Sequence, residues 1–401
     1  MYRISTGLKQ QGWENVLRME ANTRDIFSDL EGVYSDEKKS MPNGIVVNVT
    51  LNPGEHQRTL PFLEDLSNDG VEGEVPQIGN ETDQSTKHVT VYSNDVSNAV
   101  NTEKYGIHAH DKKAYNLLKM VQPQLSKWHK QRKGKYFRQA LLQRYSGNLV
   151  QSPISATQHW APNILIKNVD MTAQPVYDST LATYTENIGD AMELAGTTSA
   201  AQWDVTYLES IIMWASGGWD SSKIIEPLQI DGRDMWVVTV PSRQAATLKN
   251  PTVRNTLAGL EIDAAVQKSM NNAFKQYLGN YGPLILVEDP NAPVLARGGA
   301  DASWTLTPTY KDVGNVDDRA SASGTLFDVG FVLGKGALCL TKHEEMHFEE
   351  EATNYGKIVG VGAFAGYGVQ ALSYDEDSAT DTSIKTPGYG VLLGYRGAYI
   401  A

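Results

Sequence analysis

The order of apolar and polar residues predicts a chain rich in short strands. Alternating or continuous apolar runs, bounded by Gly, Pro, Asn and Asp, are typical of strands. They occur at residues 45–51, 88–92, 235–240, 284–287, 330–340, 358–365 and 389–400. Pro53 and Gly54 predict a turn after the first run, and a second strand that ends near Phe62 follows it. No internal repeat is visible.

Helical spacing is confined to a few segments. A long helix is predicted over about 124–145, after a helical piece from Asp111 that Pro123 should kink or interrupt. Its apolar stripe comprises Leu125, Trp128, Tyr136, Phe137, Ala140 and Leu141. Its other face is basic, with Lys127, Lys130, Arg132, Lys133, Lys135 and Arg138, which we interpret as solvated or paired with carboxylates. Short amphipathic helices are predicted before residue 31, and Asp204 is a candidate N-cap for a helix that ends at Gly217.

An acidic, glycine-rich segment separates two strand patterns early in the chain. Residues 59–86 contain no lysine or arginine but seven carboxylates, from Glu64 to Asp83. Val89 and Val91 then share one face of a strand. The region 45–108 is therefore predicted to be a long two-stranded excursion, which needs support from elsewhere because an isolated ribbon is marginally stable. The alternative is a disordered insertion.

Composition narrows the possible classes of protein. The 401 residues are 41% hydrophobic and 20% charged, and no apolar run has the roughly 20 residues of a membrane span. The first residues lack the pattern of a signal peptide. The single cysteine, Cys339, excludes an internal disulfide, and the net charge of -12 argues against a dedicated nucleic-acid binder.

One segment matches a metal-site motif. His343, Glu344 and His347 form His-Glu-x-x-His, in which two histidines one helical turn apart hold zinc and the glutamate polarises its water. However, Glu345 is charged where such a helix is normally packed, and no third histidine follows. Asp375, Glu376, Asp377 and Asp381 remain as possible carboxylate ligands. We nevertheless interpret the segment as a polar surface.

Other candidate motifs are incomplete. Residues 330–336 are one residue short of a phosphate loop, and 360–365 fit a dinucleotide fingerprint but precede no helical pattern. Residues 375–381 lack the glycine of a calcium loop, and His108 with His110 is best read as a surface pair. Cys339 lies in an apolar run and is predicted to be core rather than a nucleophile. We therefore predict no catalytic, cofactor-binding or metal-binding residue, no cofactor and no enzymatic activity.

The order of elements, together with several phrases, resembles tailed-phage major capsid proteins of the Hong Kong 97 fold, in particular the coliphage N-four-like capsid family. The phrases are GVEGEVPQIGNET, DMWVVTVPSRQAATLK, LGNYGPLILVED, FVLGKGALCL and NYGKIVGVGAFAGYGVQALSYD, which begin at residues 70, 234, 278, 331 and 354. The resemblance implies an α+β fold with five parts. These are an N-terminal arm (1–43), an extended loop (44–108), the spine helix of a peripheral domain (109–160), a mostly axial domain (161–298) and the remaining strands of both domains (299–401).

The resemblance also implies a function and its partners. The chain would be a structural subunit that assembles with its own copies into hexamers and pentamers of an icosahedral head around double-stranded DNA, which it contacts weakly. Portal and scaffolding proteins, and in some cases a decoration protein, would be further partners. It would reside in the virion after assembly in the host cytoplasm, with no membrane contact. The alternatives are a zinc peptidase and a bacterial nanocompartment shell of the same fold.

The sequence departs from some relatives of that family. Without lysine in residues 59–86, the covalent lysine-to-asparagine crosslinks of some relatives are not expected there. The short arm favours a separate scaffolding protein over a fused one.

Overall fold

The computed structural model describes about half of the chain. The described residues are 31–33, 44–52, 54–63, 86–101, 117–144, 159–160, 164–167, 177–178, 183–184, 202–218, 224–230, 232–248, 260–261, 277–297, 306–309, 325–353, 358–372, 374–375, 384–385 and 388–398. Most of the predicted arm, the acidic segment from residue 64 to 85 and His108 with His110 lie outside them.

A five-stranded sheet is built from distant parts of the chain. Its order is β1-β2-β19-β20-β5. β1 pairs parallel with β2 and β2 parallel with β19, whereas β20 runs antiparallel to both β19 and β5. The bounds are β1 Glu31–Val33, β2 Val46–Thr50, β5 Asn94–Asn101, β19 Leu338–Thr353 and β20 Ile358–Ala371.

The central strands of this sheet are apolar because both of their faces are covered. On β2, Val46 belongs to the main core, whereas Val47 and Val49 belong to a separate cluster on the opposite face. On β19, Leu338 and Cys339 divide between the same two clusters. Burial on both sides explains why these runs read as continuously hydrophobic.

Helix α1, Leu117–Leu142, lies on one face of the five-stranded sheet. Leu125, Tyr136, Phe137, Ala140 and Leu141 of the predicted stripe are buried. The predicted interruption at Pro123 is wrong, because the helix continues through it. Pro123 is exposed in the second turn, so only one early backbone hydrogen bond is missing, and buried residues on both sides still hold the helix against the sheet.

A ten-stranded sheet is the larger of the two main sheets. With the bounds given in the next sentence, its main path is β13-β14-β15-β12-β18-β16-β17, with β11 on β12, β23 on β18 and β8 on β23. The bounds are β8 Ile164–Ile166, β11 Leu228–Ile230, β12 Arg233–Pro241, β13 Leu260–Glu261, β14 Tyr277–Tyr281, β15 Leu284–Asp289, β16 Val294–Arg297, β17 Leu306–Thr309, β18 Thr325–Leu333 and β23 Tyr389–Ala398.

Two helices accompany this sheet and share its second core cluster, namely α2, Val205–Ala215, and α3, Ser242–Leu248. The predicted cap of α2 is confirmed, since the Asp204 carboxylate accepts a hydrogen bond from the Tyr207 N–H at 2.9 Å. Past the end of α2, Gly217 has a φ of 72°, a conformation that glycine adopts without strain.

A buried ion pair joins helix α1 to the ten-stranded sheet. Arg138 of α1 donates two hydrogen bonds to Asp289 of β15, both at 2.7 Å, and the two side chains are 4% and 1% exposed. Such a bidentate pair satisfies both charges in a site that water does not reach. The basic face of α1 is thus partly structural.

Short strands complete the described structure. They pair as β3 Gln57–Leu63 with β4 Thr86–Tyr92, β6 Gln143–Arg144 with β7 His159–Trp160, β9 Tyr177–Asp178 with β10 Thr183–Tyr184, and β21 Tyr374–Asp375 with β22 Ile384–Lys385. The predicted single strand over 330–340 is wrong. The chain turns at Gly336, where φ is 66°, so β18 and β19 enter different sheets.

Candidate functional site

The His-Glu-x-x-His segment lies on strand β19 and not on a helix. A helix would bring its two histidines within about 6 Å, whereas residues four apart in a regular strand are separated by about 13 Å. The ring of His347 stacks on Phe364, with the ring centroids 5.7 Å apart, and His343 turns to other partners. The arrangement of a helical zinc peptidase is therefore absent from this segment, and the prediction of a polar surface segment is confirmed by its mostly exposed or half-buried side chains.

The strand next to this segment presents a face of glycines. On β20, alternate residues from Val361 to Val369 point toward α1, and the other face carries Gly360, Gly362, Phe364, Gly366 and Gly368. A Cβ at Gly366 would collide with the imidazole of His343, and one at Gly368 would collide with the carbonyl oxygen of Tyr92. The absence of a side chain at Gly366 therefore leaves room for the His343 ring, and its absence at Gly368 lets a neighbouring segment approach the sheet closely.

That segment is the junction between β4 and β5, which we call the hairpin root and define as Tyr92, Ser93 and Asn94. The Tyr92 carbonyl accepts a hydrogen bond from the Thr341 hydroxyl at 2.6 Å. Ser93 is 3% exposed, and its N–H donates to the His56 carbonyl at 2.8 Å. The root is thus tied both to β19 and to the start of the hairpin.

His343 completes the attachment of the root. Its Nδ1 lies 2.5 Å from the Ser93 hydroxyl, and its Nε2 lies 3.0 Å from the Asp95 carboxylate. The ring of His56 faces it edge-on at 5.6 Å. One imidazole therefore bridges the root and the first residues of β5.

The base of the β3–β4 hairpin packs on its own chain. Leu60, Val89 and Val91 are buried in one cluster with residues of β2, Cys339 and Leu372. The predicted common face of Val89 and Val91 is confirmed. The support that an isolated ribbon needs is provided, for these residues, by the five-stranded sheet of the same chain, which covers them. Support for residues 64–85 lies outside the described part.

The turn that starts the hairpin is fixed by local hydrogen bonds. Asn52 donates its backbone N–H and its side-chain amide to the Glu55 carboxylate, both at 3.1 Å. The side-chain and backbone hydrogen bonds from Asn52 lower the pKa of Glu55. Gly54 has a φ of 89°, which confirms the predicted turn.

A cavity of about 260 Å³ lies between α1 and the irregular part of β19. His129, Lys130, Lys133, Lys342 and Tyr367 are among its lining residues. Burial lowers the pKa of His129, whose Nε2 lies 3.2 Å from the Ala363 carbonyl. The cavity arises where the pairing register of β19 shifts between Lys342 and His347, which moves the strand out of step with the helix above it.

The described residues of the remaining motifs lie in strands, in a turn or in the core. Cys339 is fully buried in the hairpin-side cluster, where burial raises its pKa to about 12, so the prediction of a core residue is confirmed. Residues 330–336 end one strand and turn toward the next, and 360–365 lie inside β20, so neither precedes a helix N-terminus. Of 375–381, only Asp375 is described.

Sequence reasoning missed the partners of His343. Ser93 and Asp95 are about 250 residues away along the chain, and no motif links them to it. The alternate glycines in GVGAFAGYG were a usable signal, because glycine inside a strand marks close backbone approach. Within the described residues, no helix is both long and apolar enough to cross a membrane.

Comparisons with known proteins identify the fold. No protein-family model and no curated protein matches the sequence. Among solved structures, the capsid of Ralstonia phage GP4 matches with a TM-score of 0.65 at 14% identity, covering 94% of this chain and 93% of that one. The acid-stable capsid of Helicobacter pylori bacteriophage KHP30 matches at 0.60 and 13%, covering 93% and 91%. The capsid of cyanophage Pam1 matches at 0.58 and 12%, covering 93% of each chain.

Proposed function

We propose that this chain, which has the Hong Kong 97 fold expected from its sequence, is a major capsid protein that assembles into the icosahedral head of a tailed phage. The observation that carries the proposal is the extent of the structural match. More than nine-tenths of this chain and of each of the three capsid chains align. The structural similarity therefore extends over nearly the whole chain and is not limited to one shared subdomain.

The division of the chain follows from this proposal. We assign residues 1–43 to an arm, 44–108 to the extended loop and 109–160 to the peripheral domain with helix α1 as its spine. Residues 161–298 would form most of the axial domain, and 299–401 would complete both domains. In support, the ten-stranded sheet takes seven strands from 161–298 and three from later residues.

A structural role without catalysis fits the described residues. The histidine motif lies on a strand, Cys339 is buried, and the phosphate-loop and dinucleotide-like segments belong to strands and a turn. None of these arrangements provides an activated nucleophile or a phosphate cradle. The zinc-peptidase alternative therefore has no support, and the three named structures are phage capsids and not nanocompartment shells.

The charges of the chain suit contacts between its copies. The acidic segment 64–85 has no cation, whereas the exposed side of α1 carries Lys127 and half-buried lysines. Opposite charges on two segments of one chain favour association of one copy with the next. They also fix how the two copies align. The hairpin root would hold the loop at a fixed angle from which it reaches a neighbouring subunit.

Further partners follow from the role in a phage head. Portal and scaffolding proteins, a decoration protein and packaged double-stranded DNA would meet the shell, with the particle assembled in the host cytoplasm. The acidic net charge of -12 is consistent with weak and non-specific contact with DNA, because tight binding needs many cations opposite phosphates.

The test is assembly of the purified full-length chain. We expect sedimentation velocity and negative-stain microscopy to reveal rings of five or six copies, or closed shells, as concentration rises. A variant in which a short Gly-Ser linker replaces residues 64–85 should keep its circular dichroism spectrum but lose assembly. A chain that remains monomeric at every concentration, both alone and with crowding agents, would overturn the proposal.

A further inference from the structure

Three metal-ligand side chains converge beside the hairpin root. They are Asp95 of β5 and His343 and Glu344 of β19, and their donor atoms all lie within 4.8 Å of one another. The two strands are not paired with each other, because β20 lies between them in the sheet. The convergence comes from the tertiary structure and has no counterpart in the His-Glu-x-x-His motif.

The imidazole is held in a single orientation by its surroundings. The Ser93 hydroxyl, on a residue that is 3% exposed, lies 2.5 Å from Nδ1. Gly366 leaves the space that the ring occupies. With Nδ1 engaged by Ser93, Nε2 is directed at the Asp95 carboxylate, 3.0 Å away. Metal-binding histidines are oriented in this way by an oxygen partner on the nitrogen that does not bind the ion.

The carboxylates differ from the imidazole in exposure. Asp95 is 76% exposed, whereas His343 is 14% exposed. Glu344 also lies 3.5 Å from Nδ1 of His347 on the same strand. Two carboxylates beside one imidazole supply negative charge, and their exposure leaves room for an ion to enter and keep bound water.

We propose that Asp95, His343 and Glu344 bind one divalent cation of the zinc class at the hairpin root. One nitrogen and two oxygen donors suit first-row ions such as Zn²⁺ and Co²⁺, whereas Mg²⁺ and Ca²⁺ prefer all-oxygen sites. Water completes the coordination shell. The ion has a structural role, because it fastens the start of β5 to β19 and with it the base of the extended loop.

The proposal predicts a defined effect for each variant. Full-length, unassembled protein should retain one Zn²⁺ per chain after dialysis, measured by elemental analysis. His343→Gln, Asp95→Asn and Glu344→Gln should each abolish retention. Ser93→Ala, which removes only the oxygen that orients the ring, should weaken Zn²⁺ affinity by about 10–100-fold.

Matched controls separate this site from general attraction of cations to an acidic surface. Glu345→Gln removes the neighbouring carboxylate, which is not one of the three converging side chains, and should keep full affinity. Asp95→Asn changes an exposed side chain, so its fold should survive, which circular dichroism would check. Co²⁺ should give the visible absorption of a nitrogen-oxygen site in wild type and in Glu345→Gln only.

Three results would overturn the inference. They are failure to retain Zn²⁺, retention that Asp95→Asn leaves unchanged, and loss that Glu345→Gln causes to the same degree as Glu344→Gln. The first result would leave the cluster as a plain hydrogen-bonded ion pair. All of these measurements use unassembled subunits, so their outcome does not depend on whether the chain forms shells.

Discussion

The two faces of the five-stranded sheet are held by different physical means. Toward α1, the sheet presents large apolar side chains such as Leu340, Tyr367 and Val369, all in the main core. Toward the hairpin root, the same strands present Thr341, Gly368, which the root approaches closely, and Gly366, which the His343 ring approaches. The first face is stabilised by apolar burial, and the second by close backbone approach and hydrogen bonds.

This difference predicts which positions tolerate substitution. Apolar burial is not directional, so a core residue can often be exchanged for another of similar volume. The glycine face depends on the absence of side chains at Gly366 and Gly368. A Cβ added at either position would collide with atoms that already lie there. Neighbouring residues on one strand should therefore respond to substitution in opposite ways, depending on the face they occupy.

The largest effect should come from the helix side. Leu340→Ala removes a fully buried side chain next to the existing cavity, so the void cannot collapse easily. We expect a loss of about 2–5 kcal/mol in the free energy of unfolding, measured by denaturant titration of the purified protein. Leu340→Met, which conserves volume, should cost less than about 1.5 kcal/mol. Equal losses of stability in Leu340→Ala and Leu340→Met would contradict tight apolar packing on this face of the sheet.

On the hairpin side, Gly368→Ala should cost about 1–3 kcal/mol, because the new Cβ meets the Tyr92 carbonyl and the backbone must shift. Gly360→Ala is the matched control on the same strand and face. There the added Cβ meets backbone oxygens only at 3.9 Å, which is ordinary contact. Amide hydrogen exchange near Tyr92 should rise in the first variant alone, and equal exchange in both would contradict the close approach.

A smaller effect is expected from Thr341→Val, which keeps the shape of the side chain but removes its hydroxyl. The Tyr92 carbonyl then loses a hydrogen bond at 2.6 Å. We expect a loss of about 1 kcal/mol in the free energy of unfolding. Amide hydrogen exchange should become faster mainly at the hairpin root. An effect as large as that of Leu340→Ala would mean that the two faces do not differ as described.

The smallest effect should be an acid dependence of the helix side. Burial lowers the pKa of His129 in the folded protein, so the unfolded chain takes up a proton first as pH falls. Stability is therefore complete above the ordinary histidine value near 6.5 and declines as pH drops below it. His129→Gln, which retains a donor for the Ala363 carbonyl, should show a flatter profile between pH 7 and 5. A profile identical to wild type would exclude this contribution.

The elements with strong local signals were predictable from the sequence. The cap at Asp204, the turn at Gly54 and the apolar stripe of α1 depend on residues close together in the chain. The errors occurred where tertiary packing overrode a local rule. Pro123 was expected to kink or interrupt a helix that continues through it, and the run 330–340 was read as one strand although a glycine turn sends its halves into different sheets.

The candidate site was much less predictable. The histidine motif marked the right segment but suggested the wrong geometry, because a sequence pattern specifies spacing and not whether the backbone is helix or strand. Glu344 is adjacent to His343 in sequence, whereas Ser93 and Asp95 reach it only through the order of strands in the sheet. Contacts between side chains on strands that are far apart in the sequence produce no periodic pattern in it.

By itself, the sequence determined which strands are apolar, the turn at Gly54, and that β20 alternates glycine with larger residues. Those properties follow from local backbone preference and from the two-residue period of a strand. Only the tertiary structure decided that Gly368 admits the hairpin root and Gly366 the His343 ring, and that one imidazole lies beside a serine and two carboxylates. These contacts depend on β2, β5, β19 and β20 lying side by side, and that arrangement is set by burial summed over the whole chain.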